Sequence, residues 1–236
     1  MRIALIGFGA MGQLVATLAQ RSGDEIGLKI NSRQAANGPD DLSMKLRGHD
    51  VAIDFSVGAA VERNVDACSR AEIPLVEGTT GWKPQENKIR ELILERRAAL
   101  VYGANFSIGV NLFYRIVEHA ASLFGSIEGY SPLIEEAHHA RKRDAPSGTA
   151  LRLHDVMADK IKGAIPISST RAGYIPGTHR VGFDSPADQI LLTHMARSRE
   201  GFAEGALLAA HWIIGRKGVF EFSEVIDEII NNKKVL

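Results

Sequence analysis

The stretch Met1 to Gly12, MRIALIGFGAMG, decides the fold. An apolar run from Ile3 to Ile6 stops at Gly7, and from Met11 onward Leu14, Val15, Leu18 and Ala19 recur at helical spacing, so the segment reads as strand, tight turn, helix. At the turn, Gly7-Phe8-Gly9-Ala10-Met11-Gly12 fits G-x-G-x-x-G in the strand-to-helix context that the dinucleotide-binding pattern needs. Gly7 would permit the tight turn, Gly9 would let backbone approach a pyrophosphate, and Gly12 would allow close helix-sheet packing. The helix N-terminus would face the phosphate charge.

Outward from this turn, apolar runs at Ile26–Ile30, Val51–Ile53, Pro74–Val76 and Ala98–Tyr102 alternate with helical patterns such as that around Ile89, Leu92 and Ile93. Short buried runs separated by helices predict an α/β fold, with a Rossmann-like parallel sheet covered on both faces. After Asn105 the pattern changes. A helix bearing Val110, Phe113, Tyr114, Val117, Ala121 and Phe124 on one side leads to a strand near Ser131–Ala137 and a helix over Gly148–Ile161. Strand candidates then follow in succession at Ile167–Ala172, His179–Phe183 and Gln189–Met195, which predicts an open sheet in a second, α+β domain. The last forty residues read as helix, at Ala206–Ile214 and Val225–Ile230, and are expected to pack on the first domain. The expected division is therefore 1–105 with 206–236 as the dinucleotide-binding domain and 106–205 as the second domain.

The second strand ends Lys29-Ile30-Asn31-Ser32-Arg33, without the acid that bonds adenosine ribose hydroxyls in NAD-binding folds. Arg33 would pair with a 2′-phosphate while Asn31 and Ser32 donate hydrogen bonds, so NADPH is the preferred cofactor, ahead of NADH. Two clusters past later strands, Gly78-Thr79-Thr80-Gly81 and Gly103-Ala104-Asn105-Phe106, lie where ligands of open parallel sheets bind. They are expected to line the nicotinamide half of the site, with Phe106 over a ring face.

Lys and Arg total 28, and Asp and Glu also 28, so the chain lacks the net field with which proteins attract nucleic acid or a membrane surface. A small-molecule partner is expected. Cys68 is the single cysteine and allows no internal disulfide, the first residues lack a secretory pattern, and no apolar run approaches the roughly 20 residues of a membrane span. A cytoplasmic globular protein is the expectation.

The other informative stretch is EEAHHARKRDAPSGTA, Glu135 to Ala150. Strand alternation would aim His138 and His139 to opposite faces unless the strand has ended there. Adjacent histidines without a nearby cysteine or second ligand pair match no common zinc spacing, so no metal is expected. Lys142, between Arg141 and Arg143, would depress imidazolium formation unless an anion is present. Asp144-Ala145-Pro146 makes a turn, Ser147 can cap a helix, and Gly148 and Thr149 open it with free amides. Helix start, ammonium and imidazole together describe a carboxylate receptor beside a proton donor.

This segment closely resembles the E-x-H-H-x-x-K-x-D-x-P-S-G-T-A signature of the dihydrodipicolinate reductase family, and VEGTTGW, GANFSIGVN and FAEGALLAAHW follow in that family's order, so the likeness spans essentially the whole chain. The resemblance implies a Rossmann-like cofactor domain, a mixed-sheet substrate domain that also builds a homotetramer, and hinge closure. It implies NAD(P)H-dependent reduction of 4-hydroxy-tetrahydrodipicolinate to tetrahydrodipicolinate, a step of lysine and diaminopimelate biosynthesis in the cytoplasm. By the same likeness His138 matches the proton donor and Lys142 its catalytic partner, while His139, Ser147, Gly148 and Thr149 fall at substrate-binding positions. The chain departs from the family in a glycine loop one residue shorter and in Asn31-Ser32-Arg33 replacing an acid-Arg pair, both of which bear on cofactor choice. Two rival functions fit less well: an aspartate-type amino-acid dehydrogenase, which the histidine-lysine-SGT segment argues against, and a catalytically silent dinucleotide sensor, which would need no proton donor.

Overall fold

The computed structural model describes residues 1–31 and 38–232. The chain divides into two compact units, Met1–Ile108 with Glu200–Leu236, and Gly109–Arg199.

The first unit is a doubly wound layer structure. Strands β1 (Arg2–Ile6), β2 (Glu25–Ile30), β3 (Val51–Asp54), β4 (Leu75–Glu77) and β5 (Ala99–Tyr102) alternate with helices α1 (Ala10–Arg21), α2 (Gly38–Leu46), α3 (Val61–Arg70) and α4 (Glu86–Glu95). All five strands pair in parallel, and β1 lies between β2 and β3. The strand order reverses at β1, which opens a crevice at the carboxyl ends of β1 and β3. Alternation within β1 shows why the run is wholly apolar: Ile3 and Leu5 enter one core with α1, whereas Ala4 and Ile6 enter the other with α2 and α3.

The second unit contains α5 (Ile108–Phe124, all but its first residue), β6 (Ser131–His138), α6 (Gly148–Ala158), β7 (Ile167–Arg171), β8 (Thr178–Asp184) and β9 (Gln189–Met195). Its sheet runs β7-β6-β8-β9 and is mixed, because β6 pairs with β7 in parallel and with β8 antiparallel. Phe113, Val117 and Ala121 of α5 and Leu153 and Met157 of α6 bury one sheet face with Ile134, Val181 and Phe183. Phe124 stacks on Phe183 at 4.2 Å between ring centroids.

The remaining residues hold two departures from the sequence reading. Helix α7 (Glu200–Ile213) is continuous through Gly205, so the chain returns to the first unit at Glu200, earlier than the expected Gly205 crossing. Between α7 and α8 (Phe222–Asn231) lies a strand, β10 (Gly218–Glu221), which pairs in parallel with β5 as the sixth strand of the first sheet. Four residues wedged between two helices carry too little periodicity to stand out as a strand.

Gly205 has its own packing role. A Cβ there would lie 1.8 Å from the carbonyl oxygen of Phe106, so α7 reaches the segment after β5 only without a side chain at this position. Gly205→Ala is expected to lower the unfolding free energy by about 3 kcal/mol, read from denaturant titrations, despite the better helix propensity of alanine.

Candidate active site

Each unit presents one cluster of chemistry-bearing residues. In the first, β1 ends in a turn at Gly7, whose φ is +85° and whose Cβ would stand 2.4 Å from the carbonyl oxygen of Phe55. A Cβ on Gly12 would meet the Gly7 carbonyl oxygen at 2.3 Å, whereas one on Gly9 would meet nothing within 4 Å. The loop is thus tight against the protein on two sides and open on the third. Gly9 starts α1 with no side-chain cap and no acid in the first turn, which leaves first-turn amides and the positive helix end for an anion. These residues fit a dinucleotide pyrophosphate.

The neighbouring positions divide by role. Phe8 is half-buried with the Lys29 ammonium 5.0 Å from its ring centroid, Met11 is half-buried, and Ala10 and Asn31 are exposed. Ser32 and Arg33 lie outside the described residues. Past β4, Gly78 is half-buried and Thr80 exposed, but the Thr79 hydroxyl accepts the Ser56 amide at 3.0 Å, so Thr79 ties two turns together with its side chain turned inward. Past β5, Gly103 and Asn105 are half-buried, Ala104 is exposed, and Asn105 Oδ1 accepts the Ser107 amide at 2.9 Å. Phe106 corrects an expectation. Its side chain is only 2% exposed, packed 4.7 Å from Phe222 and 6.4 Å from Phe55 between centroids, so it serves the core and covers no ligand ring.

The second cluster grows from the end of β6. Alternation along that strand sets Glu136 and His138 on one face, and His138 Nδ1 lies 2.6 Å from Glu136 Oε2, with the carboxylate wholly buried. The other carboxylate oxygen accepts from Arg171 Nη2 at 2.6 Å and from the Ser147 amide at 3.2 Å. Arg171 also donates to the Asp144 carbonyl at 2.6 Å, which fastens β7 to the loop that carries Lys142. Lys142 Nζ sits 2.8 Å from Asp144 Oδ1.

Electrostatics follow from this wiring. Burial pushes the Glu136 carboxyl up, but Arg171, Ser169, Ser147 and His138 outweigh it and bring the group down to about 2. His138 is held below the ordinary histidine range chiefly by burial, with Lys142 and Arg171 adding to the effect and Glu136 opposing it. The 2.6 Å approach lacks hydrogen-bond geometry, so ionised Glu136 acts on His138 chiefly through its charge, which favours a proton on the facing Nδ1. His179, reached across the sheet in register with Glu136, is lowered to about 4 by burial and by His138.

Ser147 also differs from expectation. It caps α6 by accepting the Ala150 amide at 3.2 Å and contacts His179 Nε2 at 3.1 Å, and at 2% exposure it has no side-chain surface left for a substrate. Gly148 is exposed with nothing within 4 Å of a Cβ, Thr149 shares a hydrogen bond with Tyr114, and His139 is half-buried with Nδ1 unpartnered. Glu136, Arg171 and His179 escaped the sequence reading. Glu136 had a signal, because it stands two residues before His138 in a strand; Arg171 and His179 are reached only through strand pairing. Glu136, His138 and His179 also bring donor atoms within 4.8 Å of one another, a grouping that local zinc spacing does not reveal. The Arg171 guanidinium already supplies the positive charge that Glu136 needs there.

Comparison with known proteins places these two clusters in one lineage. Residues 1–106 match the family model of the dihydrodipicolinate reductase N-terminus, and 109–226 match that of the C-terminus. The chain belongs to the dihydrodipicolinate reductase family. It is accordingly an oxidoreductase. A 4-hydroxy-tetrahydrodipicolinate reductase of Christiangramia forsetii is 37% identical over 98% of this chain and 100% of its own. One from Anaeromyxobacter dehalogenans is 36% identical over 93% of this chain and 84% of its own. Among solved structures, dipicolinate-bound dihydrodipicolinate reductase from Paenisporosarcina sp. superposes with a TM-score of 0.77 at 22% identity, covering 94% of this chain and 97% of that one, which shows the shared fold. A probable dehydrogenase from Thermotoga maritima shares the fold more distantly, with a TM-score of 0.60 at 12% identity over 96% of this chain and 93% of its own.

The Glu136–His138 pair makes a direct prediction. Because the carboxylate favours the imidazolium, Glu136→Gln is expected to move the His138 titration midpoint further down, as followed by imidazole nitrogen NMR. An unchanged or raised midpoint would contradict the assigned geometry.

Proposed function

We propose that this chain reduces 4-hydroxy-tetrahydrodipicolinate to tetrahydrodipicolinate with NADPH, NADH being the poorer donor, as a step of lysine and diaminopimelate biosynthesis in the cytoplasm. The observation that carries the proposal is the buried Glu136–His138 pair, 2.6 Å apart, in one segment with Lys142 and an open helix start, within a chain of the reductase family. In this reading the first unit holds the dinucleotide on Gly7, Gly9 and Gly12, with Phe8, Ala10, Met11, Asn31, Ser32 and Arg33 toward the adenosine side. Gly78, Thr80, Gly103, Ala104 and Asn105 serve the nicotinamide side. The preference for NADPH rests on the absence of an acid after β2.

Loss of the hydroxyl as water leaves a conjugated imine, and a nicotinamide held by the glycine loop of the first unit would supply hydride to one end of that system. His138 delivers the matching proton to the enamine carbon from Nε2. The amides of Gly148 and Thr149 and the Lys142 ammonium receive the two carboxylates, and His139 orients the ring. Their negative charge supplies what the free site lacks: with a dianion in place, the repulsion that Lys142 and Arg171 exert on an imidazolium is offset and His138 can hold its proton. Lys142 leaves Asp144 for the substrate in this scheme, an exchange of one carboxylate partner for another.

A homotetramer assembled through the second unit belongs to the same proposal. The edge strand β9 carries Leu191 and Met195 on one face and Ile190 on the other, at 50%, 62% and 43% exposure, apolar side chains that another copy would bury.

The test mixes the chain with NADPH and freshly prepared 4-hydroxy-tetrahydrodipicolinate and follows the loss of nicotinamide absorbance. Turnover is expected, and His138→Ala or Lys142→Ala should each lower kcat by about 100-fold or more while the cofactor Kd stays within about twofold. Turnover of oxaloacetate with ammonia in its place would point to an amino-acid dehydrogenase, and cofactor binding without either reaction to a sensor.

A further inference from the structure

Two acids stand side by side in the interior of the first unit. Asp54 ends β3 and Glu77 ends β4, the two residues are paired in register, and both side chains are wholly buried. Asp54 is well supplied with donors: Oδ1 accepts the Ser56 amide at 2.7 Å and Oδ2 accepts Asn64 Nδ2 at 2.6 Å. Glu77 is not. Thr79 bonds the carboxyl through its hydroxyl and through its amide, 2.7 Å from Oε1, but buried Oε2 has no hydrogen-bond partner among the described residues. A buried carboxyl oxygen that receives no donor, beside a carboxylate that can accept one, is the arrangement of a protonated acid bonded to an ionised one.

The turns that follow these acids border the glycine loop. The Phe55 carbonyl lies where a Cβ of Gly7 would be, at 2.4 Å, and the Phe55 ring lies 2.2 Å from where a Cβ of Gly78 would be. The Ser56 amide bonds both Asp54 and the Thr79 hydroxyl. We infer that Glu77 is a positioning residue for the dinucleotide: its carboxyl proton, donated to Asp54, locks the Phe55–Ser56 and Gly78–Thr79 turns into the shape that receives the cofactor. This rests on the dinucleotide reading of the glycine loop.

Burial raises both acids, Glu77 further because Asp54 is already charged beside it and accepts its proton. Other titratable groups face the pair from each packed element. Cys68 of α3 feels both acids, Arg63 reaches Asn64 Oδ1 at 3.0 Å, and Tyr102 of β5, in register with Glu77, is bonded to Arg90 and Glu86 of α4. Once Glu77 loses its proton, two adjacent buried negative charges repel and the turns separate.

The experiment is calorimetric titration of the full chain with NADPH from neutral to alkaline pH. The wild-type Kd is expected to rise about tenfold as Glu77 ionises. Glu77→Gln keeps a donor toward Asp54 and an acceptor for Thr79, so it should bind within about twofold of wild type at neutral pH and lose most of that alkaline rise. Glu77→Leu should bind about tenfold more weakly at every pH, and Cys68→Ala should retain the alkaline rise. An alkaline rise that survives undiminished in Glu77→Gln, or wild-type affinity in Glu77→Leu, overturns the inference. Amide hydrogen exchange at Ser56 and Thr79 without cofactor gives a second readout: protection should fall at alkaline pH in wild type and persist in Glu77→Gln. Failure of wild type to bind NADPH or NADH would refute the cofactor reading, while the exchange comparison still decides the proton. If Glu77→Leu does not fold, the Gln variant and the wild-type profile decide it.

Discussion

One buried carboxylate organises the second unit's chemistry. Glu136 has no contact with water and would be costly there alone. Three elements surround it: Arg171 and Ser169 from β7 and the Ser147 amide at the head of α6 bond the carboxylate, and His138 of its own strand faces Oε2 as a charge partner. Because the charge is matched by fixed donors, it stays ionised and dictates the geometry of everything bonded to it. The histidine tautomer, the start of α6 and the loop from His139 to Asp144 are consequences of satisfying that single anion.

The first unit meets the same problem with a different solution. At the ends of β3 and β4 the donors that meet the acids are neutral: the amides and hydroxyls of Ser56 and Thr79, and Asn64. In one place an arginine balances the buried charge and leaves an acid below its usual range; in the other, burial raises both acids. Asp54 and Glu77 end their strands and take amides from the turns that follow, whereas Glu136 lies inside β6 and takes its amide from the head of α6.

How much was legible in the sequence follows from how local each signal is. Gly7 to Gly12 lies within one turn and one helix start, so its pattern and packing could be read together, and the Ser147 cap was likewise visible three residues before Ala150. The α/β architecture followed from apolar runs that parallel strands buried on both faces require. Strand β10 was missed because its partner β5 lies more than a hundred residues earlier, and pairing rather than composition makes it a strand. Arg171 and His179 were missed for the same reason. Phe106 was misjudged because a ring beside a glycine cluster looks the same on paper whether it faces a ligand or packs on Phe222.

The interrupted first unit has a consequence for biosynthesis. Its sheet is completed by β10, and the core that covers one face of β1 is built in large part from α7 and α8, all of which leave the ribosome after the whole of Gly109–Arg199. Until then Ile3, Leu5, Ile53 and Val101 lack the alanine-rich surface of α7, and the nascent chain carries a sheet face covered only in part, by α1, through roughly a hundred codons of translation. The intervening segment has a core of its own and can fold in that interval, before the first unit receives its last strand and helices.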